Sequence, residues 1–272
     1  MNTQKKNAII VISTFLVITI IMVLLIPIDA KQKRYKEFGK LAEAAETDKR
    51  AEYIIDNIEQ YPEYIVDIFY SEPDSLEFIY NYPNCKDNYA SMSYTEEELS
   101  GGVPELYMDD PRWAYECIGN YDEIIKTHGC AYVCMTMAYI GLTGDSSVDP
   151  VFVGNIAYEN MLTSKISAGL KLDNIGKLSE LIGLNGMYYN FNTERGGTAL
   201  ESVDEIAQHI SDDCVIIAGM VGETFGNHAV IISKCDGNDI QIIDPGNPDN
   251  TKKIWNFENL KPEFRGVWVI TK

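Results

Sequence analysis

The sequence predicts an α+β fold in which helices come first and an antiparallel sheet follows. Three observations carry this. The stretch Cys130–Leu142 (CAYVCMTMAYIGL) holds no charged residue, so a helix there is buried on most sides. Further on, Cys214–Ala218, Ala229–Ser233, Ile240–Ile243 and Val267–Thr271 are short β-branched runs set between turn signals. No strand–helix–strand alternation, Gly-rich phosphate loop or internal repeat breaks that order.

Taken from the N-terminus, Asn7–Ile28 carries no charge, and a run of about 20 apolar residues matches the thickness of a bilayer core. A cleaved signal has a shorter apolar region of about 7–15 residues, and Ile28-Asp29-Ala30 is a poor cleavage site. Residues 1–30 are therefore expected to form a retained transmembrane anchor with a short N-terminal end. Lys5 and Lys6 precede the span while Lys31, Lys33, Arg34 and Lys36 follow it, so flanking charge leaves its orientation open.

Residues 31–102 read as a helical stalk and linker. Ala51, Ile54, Ile55 and Ile58 recur on one helix face. Pro62 suits the start of a second helix carrying Ile65, Ile68 and Phe69. Asp74 can cap a third with Leu76, Ile79 and Tyr80, which Pro83 ends. The polar stretch Asn84–Gly102, with Glu96-Glu97-Glu98 and Gly101-Gly102, reads as a surface loop. Residues 103–272 form the main domain: the Cys130–Leu142 helix between Gly129 and Gly144, a helical zone over Val151–Leu184, a helix over Ser202–Ile210, then the sheet. Asp236-Gly237-Asn238 turns one strand back on the next.

Of the 272 residues 46% are hydrophobic and 23% charged, ordinary globular material. The net charge of −19 repels phosphate backbones and argues against a nucleic-acid partner. Six cysteines (Cys85, Cys117, Cys130, Cys134, Cys214 and Cys235) and three histidines (His128, His209 and His228) show no zinc-site spacing, so no metal is expected.

Among these residues context selects a nucleophile. Cys130 follows a glycine where a buried helix begins, and free N–H groups and the helix dipole there favour thiolate over thiol. Cys134, one turn further in, reads as core. His228 starts the AVIIS strand and Asp244 ends the IQII strand across the hairpin, so the carboxylate can orient the imidazole. Each residue also has a plain structural reading, as a small core hydrophobe, a strand-entrance polar group, or part of the Asp244-Pro245-Gly246-Asn247 turn. Together, on one helix-then-sheet layout, they read as a Cys-His-Asp triad.

Asp110-Pro111-Arg112-Trp113-Ala114-Tyr115, His128-Gly129-Cys130-Ala131, Leu142-Thr143-Gly144-Asp145, Gly226-Asn227-His228 and Asp244-Pro245 resemble the motifs of the bacteriocin-processing-peptidase family, and most of all its stand-alone, membrane-anchored Gram-positive members. The resemblance spans roughly Pro104 to the end. It implies a papain-like cysteine peptidase fold, with a helical half carrying the nucleophile and an antiparallel sheet half carrying His and Asp. It also implies that the short end before the anchor is cytoplasmic and that the domain lies outside the cytoplasmic membrane, hydrolysing peptide or protein substrates without a cofactor, with Cys130 as nucleophile, His228 as base and Asp244 as orienter. No exporter ATPase is evident in the chain. One departure stands out: the position that in the family carries an oxyanion-hole Gln is Met108, a thioether with no proton to donate. Two readings follow, an anchored peptidase or a pseudopeptidase that keeps the groove as a peptide-binding or surface-interaction module.

Overall fold

The computed structural model describes residues 38–165, 167–190, 198–199 and 202–272. The chain divides into two compact units between Asn84 and Cys85, ahead of the boundary read from sequence at 102. The anchor expected over Asn7–Ile28 lies outside the described residues, and among those described no helix is long and apolar enough to cross a membrane.

The first unit is helical. Helices α1 (Gly39–Ala44), α2 (Lys49–Asp56), α3 (Glu63–Ser71) and α4 (Leu76–Cys85) bury Leu41, Ala51, Ile54, Ile55, Ile65, Ile68, Phe69 and Ile79. Asp48 caps α2 by accepting from the Arg50 N–H. Two expectations shift here. Pro83 does not end α4 but lies inside its last turns, and Asp74 belongs to a 3₁₀ turn, Pro73–Ser75, that leads into it.

In the second unit the polar stretch after Asn84 is more ordered than a loop. Helix α5 (Glu96–Leu99) has a reciprocal capping box between Thr95 and Glu98. Glu98 also pairs with Arg112, which lies over the Trp113 ring at 4.6 Å and pairs with Asp110. The Tyr94 hydroxyl donates to the Val148 carbonyl at 2.9 Å. Long-range partners such as these cannot be read from local composition.

Helix α6 (Ile125–His128) runs into Gly129 and then α7 (Cys130–Thr143). Residues 131–138 of α7 are all buried, as the missing charges require. Gly129 is needed at the joint: a Cβ there would lie 2.5 Å from the Ile125 carbonyl oxygen. Helices α8 (Pro150–Glu159) and α9 (Ile175–Leu181) occupy only the two ends of the predicted helical zone; between them come a bridge from Thr163 to Leu170 and a 3₁₀ turn, Leu172–Asn174, and Asp149 caps α8.

The sheet holds β1 (Asn185–Asn190), β2 (Thr198–Ala199), β3 (Cys214–Gly222), β4 (Gly226–Asp236), β5 (Asp239–Ile243), β6 (Trp255–Asn256) and β7 (Phe264–Thr271) in the order β2-β1-β7-β3-β4-β5-β6. All pairs are antiparallel except β1 with β2. The four predicted runs lie within β3, β4, β5 and β7. Successive side chains alternate between two cores. Val215, Ile217, Ala229, Ile231 and Ile270 pack with α7, while Ile216, Ala218, Val230, Ile232 and Val267 pack with α10 (Val203–Ala207) and α12 (Phe257–Leu260) on the other face. Burial on both faces explains why these runs are continuously apolar. A short helix, α11 (Pro248–Thr251), follows the Asp244 turn.

Candidate active site

The site forms where the N-terminus of α7 meets the β4–β5 hairpin. Cys130 opens α7 and is partly exposed. One turn on, the buried Cys134 thiol donates to the Ala229 carbonyl at 3.4 Å, fastening the helix to β4 beside His228. His228 and Asp244 are 16 residues apart in sequence, and the hairpin brings His228 Nε2 to 2.7 Å from Asp244 Oδ1. The other ring nitrogen is left for the thiol, and Cys130 and His228 are hydrogen-bonded.

Electrostatics separate the two helix cysteines. Burial opposes the Cys130 thiolate, but the His228 hydrogen bond and charge, with the Ala229 and Ala131 backbone N–H groups, outweigh it and set the thiol below its ordinary value. Cys134, with burial dominant and no such donors, is pushed well above. For His228, burial disfavours the cation, yet hydrogen bonds to Asp244 and Cys130 and their charges push its pKa up to about 10. Asp244 is only 2% exposed. Burial works against its charge, but the His228 hydrogen bond and charge, Asn250 and the Gly246 N–H hold it below the usual carboxylate range. The arrangement favours a thiolate–imidazolium pair with a carboxylate behind it.

Asp244 is held from several sides. Gly246 N–H donates to Oδ1 at 2.8 Å, Asn250 Nδ2 donates to Oδ2 at 2.8 Å, and the Asp244 N–H donates to Thr251 Oγ1 at 3.0 Å. Only glycine fits comfortably at 246, since a Cβ there would stand 3.1 Å from His228 Cε1. The Phe225 ring lies parallel to the imidazole within 9°, with centroids 6.4 Å apart.

Met108 is buried in the core that contains α7, and its N–H donates to the Pro245 carbonyl at 2.7 Å. The segment that carries it therefore borders the Asp244 turn. Its side chain offers no proton and its amide is already used. Tyr107 does not replace it: its hydroxyl donates to Glu105 at 3.1 Å and is hydrogen-bonded to Thr251.

A cleft of about 590 Å³ opens at Cys130, walled by Thr127, His128, Leu170, Lys171, Asp173 and Arg265 among others. The Arg265 guanidinium grips Asp173 with two bonds, of 3.0 and 2.7 Å. Of the remaining histidines, His128 lines the cleft and bonds Thr127 Oγ1 at 2.8 Å, while His209 packs on the Tyr189 ring. The structure thus brings Cys130, His228 and Asp244 together. Asn250 and Phe225 escaped sequence reading, in which Gly246 counts only as part of a turn.

No family model matches the chain, and no curated protein matches it. Among solved structures it is similar to the peptidase domain of Streptococcus ComA, a bi-functional ABC transporter involved in a quorum-sensing pathway, with 12% identity, a TM-score of 0.39, and coverage of 53% of this chain and 92% of that one. At that identity and TM-score the similarity assigns no family, and the geometry of Cys130, His228 and Asp244 stands by itself.

Proposed function

We propose that this chain is a membrane-anchored cysteine peptidase that hydrolyses peptide bonds outside the cytoplasmic membrane through Cys130, His228 and Asp244. The observation that carries the reading is the opposite fate of two cysteines one helical turn apart: only the partly exposed one is bonded to a histidine that is itself bonded to a buried carboxylate. In this scheme the Cys130 thiolate attacks the scissile carbonyl carbon, and negative charge moves to the carbonyl oxygen. His228, already protonated, gives its proton to the departing amine as the C–N bond breaks. It then takes a proton from water, whose oxygen attacks the thioester and releases the acid and the Cys130 thiolate beside the reprotonated ring. Asp244 holds the ring and stabilises its charge through both half-reactions.

Met108 favours a second reading, a domain that binds peptide and turns it over slowly. The N–H at the α7 terminus supplies one donor to the oxyanion, but the Met108 side chain supplies none, and a missing donor costs on the order of 10²–10³ in rate. An irreversible thiol-directed peptidase probe is expected to label Cys130 readily while wild-type turnover of a peptide library stays weak. Met108→Gln is expected to raise kcat/KM by about 10-fold or more. Fast wild-type turnover that the Gln leaves unchanged would mean another donor completes the hole. No labelling and no gain would favour the binding module.

Anchoring and orientation rest on the apolar run Asn7–Ile28 and on the family resemblance. External protease added to intact protoplasts is expected to degrade the domain after residue 85. Full protection would reverse the orientation.

A further inference from the structure

The triad is bonded onward to a segment that the proposed chemistry does not use. Asp244 Oδ2 accepts from Asn250 Nδ2 at 2.8 Å, and Asn250 Oδ1 accepts from Lys253 Nζ at 2.9 Å. A carboxylate can only accept and an ammonium can only donate. A side chain joining them must donate at one end and accept at the other. A primary amide meets that requirement, and the two partners fix which way it faces. The same segment is tied down again by Trp255, whose indole N–H donates to the Asn250 carbonyl at 3.1 Å. Trp255 also packs on Phe225 at 5.2 Å, and Phe225 lies parallel to the His228 ring. Residues 250–255 thereby reach the histidine by two routes, one polar through Asp244 and one aromatic through Phe225.

We infer that Asn250 is a positioning residue of the proposed active site: its amide, oriented by Lys253, fixes the Asp244 carboxylate plane and through it the His228 ring that faces Cys130. It is not among the residues that line the cleft. The inference rests on the peptidase reading, in which the thiolate–imidazolium pair is the working state. The other titratable groups near Asp244 are Tyr107 and Cys134, which feel its charge, and Asp249 on α11 is engaged by Lys252 at 3.1 Å.

The test is the pH dependence of Cys130 alkylation by iodoacetamide in the full chain, with the label located by fragment mass spectrometry so that Cys134 is counted apart. This reads thiolate content without requiring any peptide substrate. Asn250→Leu preserves size but can neither donate to Asp244 nor accept from Lys253, and Asn250→Ala removes the side chain. Both are expected to slow alkylation at pH 6 by about 10-fold, the scale of one hydrogen bond to a charged group, with little change at pH 10. Lys253→Met, at an exposed side chain, is expected to give a smaller slowing in the same direction, and it decides the matter should the Asn250 variants fail to fold. A folded Asn250→Leu protein with the wild-type alkylation profile overturns the inference and leaves the peptidase reading standing. A wild-type Cys130 that titrates as an ordinary thiol overturns both.

Discussion

Cys130→Ala is expected to remove peptide hydrolysis: deleting a nucleophile that acts as part of a unit costs about six orders of magnitude in turnover, which takes the weak wild-type rate left by Met108 down to background. The neighbouring thiol cannot take over. Cys134 is fully buried, donates to the Ala229 carbonyl at 3.4 Å, and is held protonated by burial. Attack from that depth would require α7 to leave the sheet. The fold should survive the change, because Cys130 sits at the partly exposed helix start and the helix packs through residues 131–138. The measurement is hydrolysis of a peptide library together with thermal unfolding of the same preparation. Residual hydrolysis within 10-fold of wild type, in protein that unfolds at the wild-type temperature, would exclude Cys130 as nucleophile.

Why this site was visible in sequence, and its support was not, follows from the range of the interactions. Cys130 announces itself locally, by a glycine and then a charge-free helix. His228 and Asp244 announce themselves through a hairpin whose turn is written in three consecutive residues. Asn250 gives no such signal: Asp-Pro-Gly-Asn-Pro-Asp-Asn reads as turn chemistry throughout, and its bond to Asp244 closes only when the turn folds back. Strand β1 was hidden for a different reason. Asn185–Asn190 has no β-branched residue, and its strand character comes from pairing with β7. Gly186 is there because α9 lies so close that a Cβ would meet Ser179 Oγ at 2.5 Å. The segment after Asn84 reads as a loop because its order depends on Arg112, 14 residues from Glu98. Local chemistry was legible; order imposed from a distance was not.

Asp244→Asn should be the most informative change that keeps shape, with kcat expected to fall by about 10⁴-fold, as when the equivalent orienter of a Ser-His-Asp triad is amidated. The hydrogen bonds explain why. Oδ1 accepts from both His228 Nε2 and Gly246 N–H, and Oδ2 accepts from Asn250 Nδ2, so every neighbour is a donor. An amide has one accepting oxygen. If that oxygen stays with His228 and Gly246, its NH₂ faces the Asn250 NH₂. If Asn250 turns to relieve this, its own NH₂ meets the Lys253 ammonium. Either way a donor near the buried site is left unmatched. Charge acts in the same direction. With the carboxylate gone, burial is no longer offset as strongly, so His228 falls from about 10 and the thiolate–imidazolium pair weakens from its alkaline side. The same substitution should alter stability against pH. His228, raised above its ordinary 6.5, contributes stability that is complete below pH 6.5 and lost as pH rises through about 10. Asp244, lowered below 3.8, contributes above that value and loses it as pH falls through its folded pKa. The wild type should therefore exceed Asp244→Asn in unfolding temperature most clearly between about pH 4 and 6.5, with the gap shrinking toward pH 10 and toward strong acid. A gap of constant size across pH 3–10 would mean that the His228–Asp244 bond is not ionic, and an unchanged kcat would remove Asp244 from the mechanism.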